Sequence, residues 1–215
     1  MANLTLQPSM IETQLEARSV RYAPRPITLD EFLDLTHEDD NDELVNGVIE
    51  DKMAAQLNHE MLFAWLSQIL GLYAVRRKLG IVLGSRTLVA IDQYNGRLPD
   101  VIFVREENRA IVQQKAIYGA PDLIIEIVSP NDRPSEISRL EANYRTIGVP
   151  EIVFVDCQAQ RVRIVRKRDA DYDEETITRG DIILETMGNV ILQAEWLLHE
   201  PRPDAYDTLH LLLAS

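Results

Sequence analysis

The sequence predicts an α/β fold (mixed α+β) in which a central mixed sheet is flanked by helices. Short apolar runs of strand length alternate with two longer segments of helical periodicity. Several strands are separated by connections of hairpin length, which favours layers of sheet and helix. The 215 residues show no internal repeat and no shift in composition, as expected of a single domain.

The N-terminal region is predicted to be an arm followed by one domain. Residues 1–25 lack clear periodicity, and the domain is expected to span residues 26–215. A capping box that begins at Thr28 predicts a short helix through Leu35. The acidic run at residues 38–42 is predicted to be a solvated loop.

Two further elements follow from strong local signals. Asn46-Gly47 between apolar pairs predicts a hairpin, because both turn residues tolerate positive φ. Residues 57–78 form the longest predicted helix. Its apolar side chains recur at helical spacing and are predicted to be core: Leu57, Met61, Leu62, Trp65, Leu66, Ile69 and Leu70.

The remaining elements are predicted from apolar runs and breakers. Another helix is predicted to begin at Pro134, with Ser135 as its cap, and to end at Gly148. Strands are predicted at 80–83, 87–91, 99–104, 123–128, 152–155 and 161–165. The tail is predicted to be a β-rich C-terminal extension with an acidic loop and two strands, at 169–175, 182–184 and 190–198.

Composition limits the function classes. The formal net charge is −13 and the pI is about 4.7, which disfavours non-specific binding to the phosphate backbone of nucleic acid. The single cysteine, Cys157, excludes an internal disulfide and a cysteine zinc cluster. No apolar run approaches the ~20 residues of a membrane span, and no signal-peptide pattern is present. The chain is therefore expected to be cytoplasmic, with no membrane partner.

The main functional signal is a pair of acidic residues on apolar runs. Asp100 follows Pro99 at the start of one predicted strand, and Glu126 lies near the end of another. If these strands pair antiparallel, the two carboxylates converge, and a divalent metal is the natural shared partner. The alternative is that Asp100 caps a turn and Glu126 faces solvent from an edge strand. For Glu126, the continuous apolar run argues against that alternative.

These residues, taken with several others, resemble a known family. Residues 99–100 (PD), 120–130 (APDLIIEIVSP), 144–151 (YRTIGVPE) and 155–156 (VD) are similar to the motifs of the Uma-two type family. Residues 43–47 (ELVNG) resemble its early hairpin motif. The family belongs to the PD-(D/E)xK, restriction-endonuclease-like superfamily. The resemblance extends over nearly the whole chain.

The resemblance implies a fold, an activity and a site. The fold would be restriction-endonuclease-like, and the activity would be metal-dependent hydrolysis of DNA. Asp100 and Glu126 would hold Mg²⁺ or Mn²⁺, both of which take carboxylate oxygens. Glu43 would be a further metal ligand or a base that orients water; from composition alone it reads as an exposed residue. By analogy with similar folds, a homodimer is possible.

The lysine that the superfamily requires is displaced in this chain. The Uma-two type family usually carries it four residues before the tyrosine that matches Tyr144, and that position is Leu140. Arg139 lies one residue, or about 100°, away around the helix and is expected to point elsewhere. Lys52 is the other candidate for the missing lysine. The alternative is that Lys52 is a surface lysine that pairs with a neighbouring acidic residue. His59 could face the same cleft, but a structural role is expected more often.

The displaced lysine leaves two functional readings open. The first is a metal-dependent endonuclease that uses Glu43, Asp100, Glu126 and Lys52 as its catalytic residues. The second is a catalytically impaired protein that keeps the nuclease fold as a binding or assembly module. Loss of one preorganised donor typically costs ~10²–10³ in rate, which makes the second reading a real alternative.

Overall fold

The computed structural model describes residues 20–21, 25–36, 40–52, 56–84 and 86–214. In this part of the chain the helices are α1 (Leu29–Leu35), α2 (Leu57–Arg77), α3 (Pro134–Ile147), α4 (Ala194–Leu198) and α5 (Ala205–Ala214). The strands are β1 (Val20–Arg21), β2 (Asp42–Val45), β3 (Val48–Asp51), β4 (Gly80–Gly84), β5 (Val89–Asp92), β6 (Asn95–Arg97), β7 (Val101–Arg105), β8 (Ile117–Tyr118), β9 (Leu123–Ile127), β10 (Glu151–Asp156), β11 (Arg161–Arg168), β12 (Asp171–Ile177), β13 (Asp181–Leu184) and β14 (Val190–Gln193).

The strands form two mixed sheets and a hairpin. The first sheet has the order β1-β3-β2-β6-β5-β8, the second has the order β12-β11-β10-β9-β7-β4, and β13 pairs with β14. Parallel pairs occur between β9 and β10 and between β5 and β8, whereas the other ladders are antiparallel. The predicted class, a mixed sheet flanked by helices, is confirmed, with the strands divided between two sheets.

The second sheet is covered on both faces. Alternate side chains of β7, β9 and β10 contribute to different cores, as the two-residue period of a strand requires. Phe103 and Ile125 pack with α2, whereas Ile124 and Phe154 pack with Tyr144 of α3. A third core, which includes Phe32 of α1, lies against the first sheet. The strands that carry Asp100 and Glu126 are thus enclosed by apolar layers.

Helix α2 is present as predicted, but the face that it buries in the core is narrower than predicted. Leu62 and Leu66 are fully buried, whereas Met61 and Leu57 are 47% and 75% exposed. At about 100° per residue, Met61 and Leu57 lie outside the arc shared by the buried positions. The prediction that these two residues belong to the core is wrong.

The local signals near the N-terminus are confirmed. The Thr28 hydroxyl accepts from the Glu31 amide, and the Glu31 carboxylate accepts from the Thr28 amide, which is a capping box. Asn46 and Gly47 have φ of 50° and 76° between β2 and β3. Most of the predicted 1–25 arm, and residues 38–39 of the acidic run, lie outside the described residues.

The cap of helix α3 and the end of the tail differ from the sequence prediction. Helix α3 ends at Gly148 as predicted, but its cap is Arg133 rather than Ser135, and the Glu136 carboxylate accepts from the Arg133 amide. The tail closes with helices α4 and α5, so the strand predicted at 190–198 stops at Gln193.

The acidic segment predicted as a loop at 169–175 contributes to β12. This strand pairs antiparallel with the arginine-rich β11. Arg166 contacts Glu175 at 3.0 Å and Arg168 contacts Asp173 at 3.6 Å. The opposite charges on neighbouring strands favour a pairing that the acidic segment alone does not indicate.

Glu151 fastens the C-terminal extension to the second sheet. It is 1% exposed and accepts hydrogen bonds from Arg166 Nε at 2.9 Å and from the amide and hydroxyl of Thr186 at 3.0 and 2.8 Å. The Glu185 amide adds a contact at 3.2 Å. Glu151 begins β10 at the end where β9 begins, so it lies away from Glu126.

None of the described helices is long and apolar enough to cross a membrane.

Replacement of Glu151 is expected to destabilise the protein strongly. Glu151→Ala leaves the Arg166 guanidinium and the Thr186 donors without their buried acceptor, and a loss of about 3–5 kcal/mol is expected. Glu175→Ala is the matched control, because it removes an exposed partner of the same arginine and is expected to cost less than ~1 kcal/mol. Urea unfolding measures both, and equal losses would contradict the anchoring role.

Candidate active site

Strand pairing brings Asp100 and Glu126 together. β7 and β9 are antiparallel with Val101 opposite Ile125, so Asp100 and Glu126 come opposite each other at the next position. The two residues are 2% and 6% exposed. The antiparallel pairing on which the sequence prediction depended is therefore present, and the alternative of a solvent-facing Glu126 is wrong.

Asp100 is held by three donors from different parts of the chain. Its Oδ2 accepts from the Ile127 amide at 2.8 Å and lies 3.1 Å from Nε2 of His59 in α2. Its Oδ1 lies 3.4 Å from Lys52 Nζ. Burial alone would raise the pKa of Asp100, but the hydrogen bond from His59 and the charge of Lys52 outweigh it and lower the pKa. Asp100 is therefore a carboxylate at neutral pH.

Lys52 enters the site from the segment that follows β3. Its ammonium donates to the Leu98 carbonyl at 2.7 Å and faces Asp100. Desolvation would lower the pKa of Lys52, but the charges of Asp100, Glu126 and Glu43 raise it more, and the net pKa is above its ordinary value. Lys52 is thus a fixed positive charge at the carboxylate pair and not a surface lysine.

His59 also faces the site. Desolvation lowers the pKa of its imidazole, whereas the hydrogen bond to Asp100 and the charge of that carboxylate raise it, with a net upward shift. His59 was expected to be structural more often than functional, and its position beside Asp100 assigns it to this cluster.

Glu126 has a different environment from that of Asp100. Its Oε1 accepts from the hydroxyl of the fully buried Tyr144 on α3. Among the described residues it forms no salt bridge. Burial and the nearby charge of Asp100 raise the pKa of Glu126 to about 8. Glu126 is the carboxylate of the site whose charge is least compensated.

Glu43 reaches the site from β2 and is bound by two donors. Its Oε2 accepts from Arg97 at 3.0 Å and its Oε1 accepts from the Leu98 amide at 2.9 Å. The charge of Glu43 raises the pKa values of Lys52 and Glu126, so it belongs to the same electrostatic cluster. The sequence-predicted residues Glu43, Lys52, Asp100 and Glu126 are thus brought to one place.

The position expected to carry the family lysine does not supply a charge. Leu140 packs among apolar side chains beside the core that contains Tyr144. Arg139 lies 3.9 Å from Glu50, which pairs with Glu43 across β2 and β3, and the expectation that Arg139 points away from the Asp100–Glu126 pair stays a prediction. Lys52 therefore brings the lysine charge to the site.

Sequence reasoning missed Arg97 and Asn143. Arg97 is 2% exposed and bridges Glu43 to Asn143 Oδ1, which accepts from Arg97 Nε at 2.8 Å. The only available signal was an arginine within two residues of the Pro99-Asp100 motif. Such a residue is ordinarily exposed, and nothing local indicates its burial.

The donor set suits a divalent cation of the magnesium type. Among the described residues, no group of three or more His, Cys, Asp and Glu side chains is arranged to hold a metal ion. Mg²⁺ is commonly bound by one or two carboxylates and retains several waters, so Asp100 and Glu126 fit it chemically. The oxygens of Asp100 and of Glu43 already accept hydrogen bonds within the protein, and the metal-ligand roles of Asp100, Glu126 and Glu43 all stay predictions.

Two of the three comparisons with known proteins find a match. The family model Uma2, described as "Putative restriction endonuclease", matches residues 29–193. The crystal structure of a "putative nuclease belonging to DUF820" from Anabaena variabilis ATCC 29413 aligns with a TM-score of 0.68 and 19% identity. The alignment covers 80% of this chain and 98% of that chain. At this identity the likeness shows a shared fold. The comparison with curated proteins finds no match.

The environment of Glu126 predicts a pH dependence of stability. The folded pKa of about 8 exceeds the ordinary value of 4.5, so the stability that this group contributes is fully present below pH ~4.5 and is lost as pH rises through about 8. With a chelator present, the free energy of unfolding is expected to fall over this window by about 1 kcal/mol or more.

Glu126→Gln is expected to remove most of this slope, because an amide keeps an acceptor for Tyr144 without a charge. Glu107→Gln on the exposed surface is the control and is expected to leave the slope unchanged. Denaturant titrations at several pH values measure both variants. An unchanged slope in Glu126→Gln would contradict the assignment.

Proposed function

Since the chain belongs to the Uma2 family of restriction-endonuclease-like proteins, we propose that it is a metal-dependent endonuclease that hydrolyses DNA phosphodiester bonds. The observation that carries the proposal is the buried Asp100–Glu126 pair with the Lys52 ammonium beside it. Two carboxylates and a lysine are the charged residues that the resemblance to the restriction-endonuclease-like superfamily implies for this chemistry. By analogy with similar folds, we also propose a homodimer, in which two sites address two strands.

The proposed roles follow from the environment of each side chain. Asp100 and Glu126 would hold Mg²⁺ or Mn²⁺, with Glu43 as a further ligand or a base that orients water. The bound cation would lower the pKa of a water molecule and stabilise negative charge on the phosphate. Lys52 would offset charge that develops on the phosphate and orient the attacking water. His59 would keep Asp100 ionised and correctly placed.

A non-catalytic binding or assembly protein is the second candidate. The net charge of −13 favours it, because DNA binding depends largely on lysine and arginine. The position of Lys52 beside Asp100 weighs against it, since the loss of the lysine at Leu140 was its main support.

DNA cleavage distinguishes the two candidates. Wild type is expected to cleave plasmid or single-stranded DNA in Mg²⁺ or Mn²⁺, whereas the Asp100→Ala/Glu126→Ala double variant is expected to be inactive. Circular dichroism of the double variant checks that it is folded. Calorimetric titration with Mn²⁺ is expected to show binding to wild type alone. If wild type cleaves DNA in no condition, the assembly role is favoured. If wild type also fails to bind Mn²⁺, the metal assignment is wrong as well.

The lysine assignment has a separate test. Lys52→Met is expected to lower the cleavage rate by ~10²–10³, because one preorganised charge is lost from the site. Leu140→Lys is the contrasting variant and is expected to bring no gain, since the ammonium is already supplied by Lys52. Rates measured with saturating Mn²⁺ compare the two. A rise in Leu140→Lys together with an unaffected Lys52→Met would overturn the assignment.

A further inference from the structure

We propose that Arg97 is a positioning residue, which fixes Glu43 in the candidate site and couples it, through Asn143, to the Tyr144–Glu126 pair. The inference rests on the proposed function in one respect, namely that Glu43 and Glu126 serve the same reaction. The coupling itself is a property of the protein without metal or substrate, and it can be measured separately.

Strand register places Arg97 beside Glu43. β2 and β6 pair antiparallel with Leu44 opposite Gly96, so Glu43 and Arg97 come opposite each other at the next position. The Arg97 side chain is 3% exposed and donates to Glu43 at 3.0 Å. The second donor to Glu43 is the Leu98 amide, which follows Arg97 in the chain. The end of β6 and the residue that follows it therefore bind both oxygens of this carboxylate.

Helix α3 connects the two acidic residues. Asn143 accepts from Arg97 Nε at 2.8 Å, and the next residue, Tyr144, donates to Glu126. Glu43 belongs to the first sheet and Glu126 to the second. Successive side chains of a single helix thus bind Arg97, the partner of Glu43 in the first sheet, and Glu126 in the second sheet, so a shift of α3 would affect both acidic residues.

The arginine is suited to this task by its geometry. Its planar guanidinium binds Glu43 and Asn143 through different nitrogens, in directions that a lysine ammonium does not reproduce. The remaining nitrogen, Nη2, is buried with no hydrogen-bond partner among the described residues.

The same segment also reaches Lys52. The Leu98 carbonyl accepts from Lys52 Nζ, while the Leu98 amide donates to Glu43. A displacement of Arg97 would therefore disturb the carboxylate and the ammonium together. Residues that support functional groups in this way typically change metal affinity or activity by 10–100-fold when they are replaced.

The first test is a double-mutant cycle on the protein in a chelator. Glu43→Gln and Tyr144→Phe are expected to be non-additive in wild type, with a combined shift in Tm that departs from the sum by about 2 °C or more. In an Asn143→Ala background the departure from additivity is expected to shrink to the part due to the direct electrostatic interaction of Glu43 with Glu126 and Tyr144. Arg97→Lys is a second background with the same expectation. Additive shifts in wild type would overturn the coupling.

The second test is the Kd for Mn²⁺ measured by calorimetry. Asn143→Ala and Arg97→Lys are expected to bind Mn²⁺ about 10-fold more weakly than wild type, whereas Asn143→Asp keeps an acceptor for Arg97 and is expected to restore binding. Arg163→Lys is the matched control, because Arg163 joins the same helix at Glu141, 2.6 Å away, without contact to the site. Its Kd is expected to stay within about 2-fold of the wild-type value.

The outcomes distinguish a failure of the positioning role of Arg97 from a failure of the proposed function. If wild type binds Mn²⁺ and Asn143→Ala binds it equally well, the positioning role is overturned while the proposed function stands. If wild type binds no Mn²⁺ and cleaves no DNA, the proposed function fails, and the double-mutant cycle alone decides whether Arg97 couples Glu43 to Tyr144.

Discussion

The antiparallel pairing of β7 with β9 is the constraint around which this site is organised. It sets Asp100 and Glu126 side by side at a place from which water is largely excluded. Two neighbouring carboxylates repel each other, and each loses hydration on burial. Lys52 and His59 compensate the charge of Asp100. Glu126 instead accepts a hydrogen bond from the neutral hydroxyl of Tyr144, and its pKa is raised.

The site also depends on how the two sheets are joined. Glu43 comes from the first sheet, Lys52 follows its strand β3, and the carboxylate pair comes from the second sheet. Leu98 lies in the connection between β6 and β7, which joins the two sheets, and its backbone contacts Lys52 and Glu43, both from the side of the first sheet. Helix α3 adds a second connection. The geometry of the site is therefore a property of the sheet–sheet arrangement and not of a single loop.

The sequence predicts those parts of this arrangement that have local causes. Pro99 and the apolar run around Glu126 indicated two strands and their ends, from which the convergence of the carboxylates followed. Asn46-Gly47 indicated a hairpin because its residues adopt positive φ. Arg97 escaped prediction because its burial depends on Glu43, 54 residues away. Similarly, β12 resembles an acidic loop until it is placed beside the arginines of β11.

Glu151 has a consequence for how chains of this kind are recognised. It ends the Gly148-Val149-Pro150-Glu151 motif, one of the more specific features of the sequence, yet it serves as a buried fastening for the C-terminal extension. The last residue of this signature therefore reports on the scaffold. Glu151 lies opposite Leu123, three residues before Glu126, so a chain could keep this fastening after losing Asp100 or Glu126.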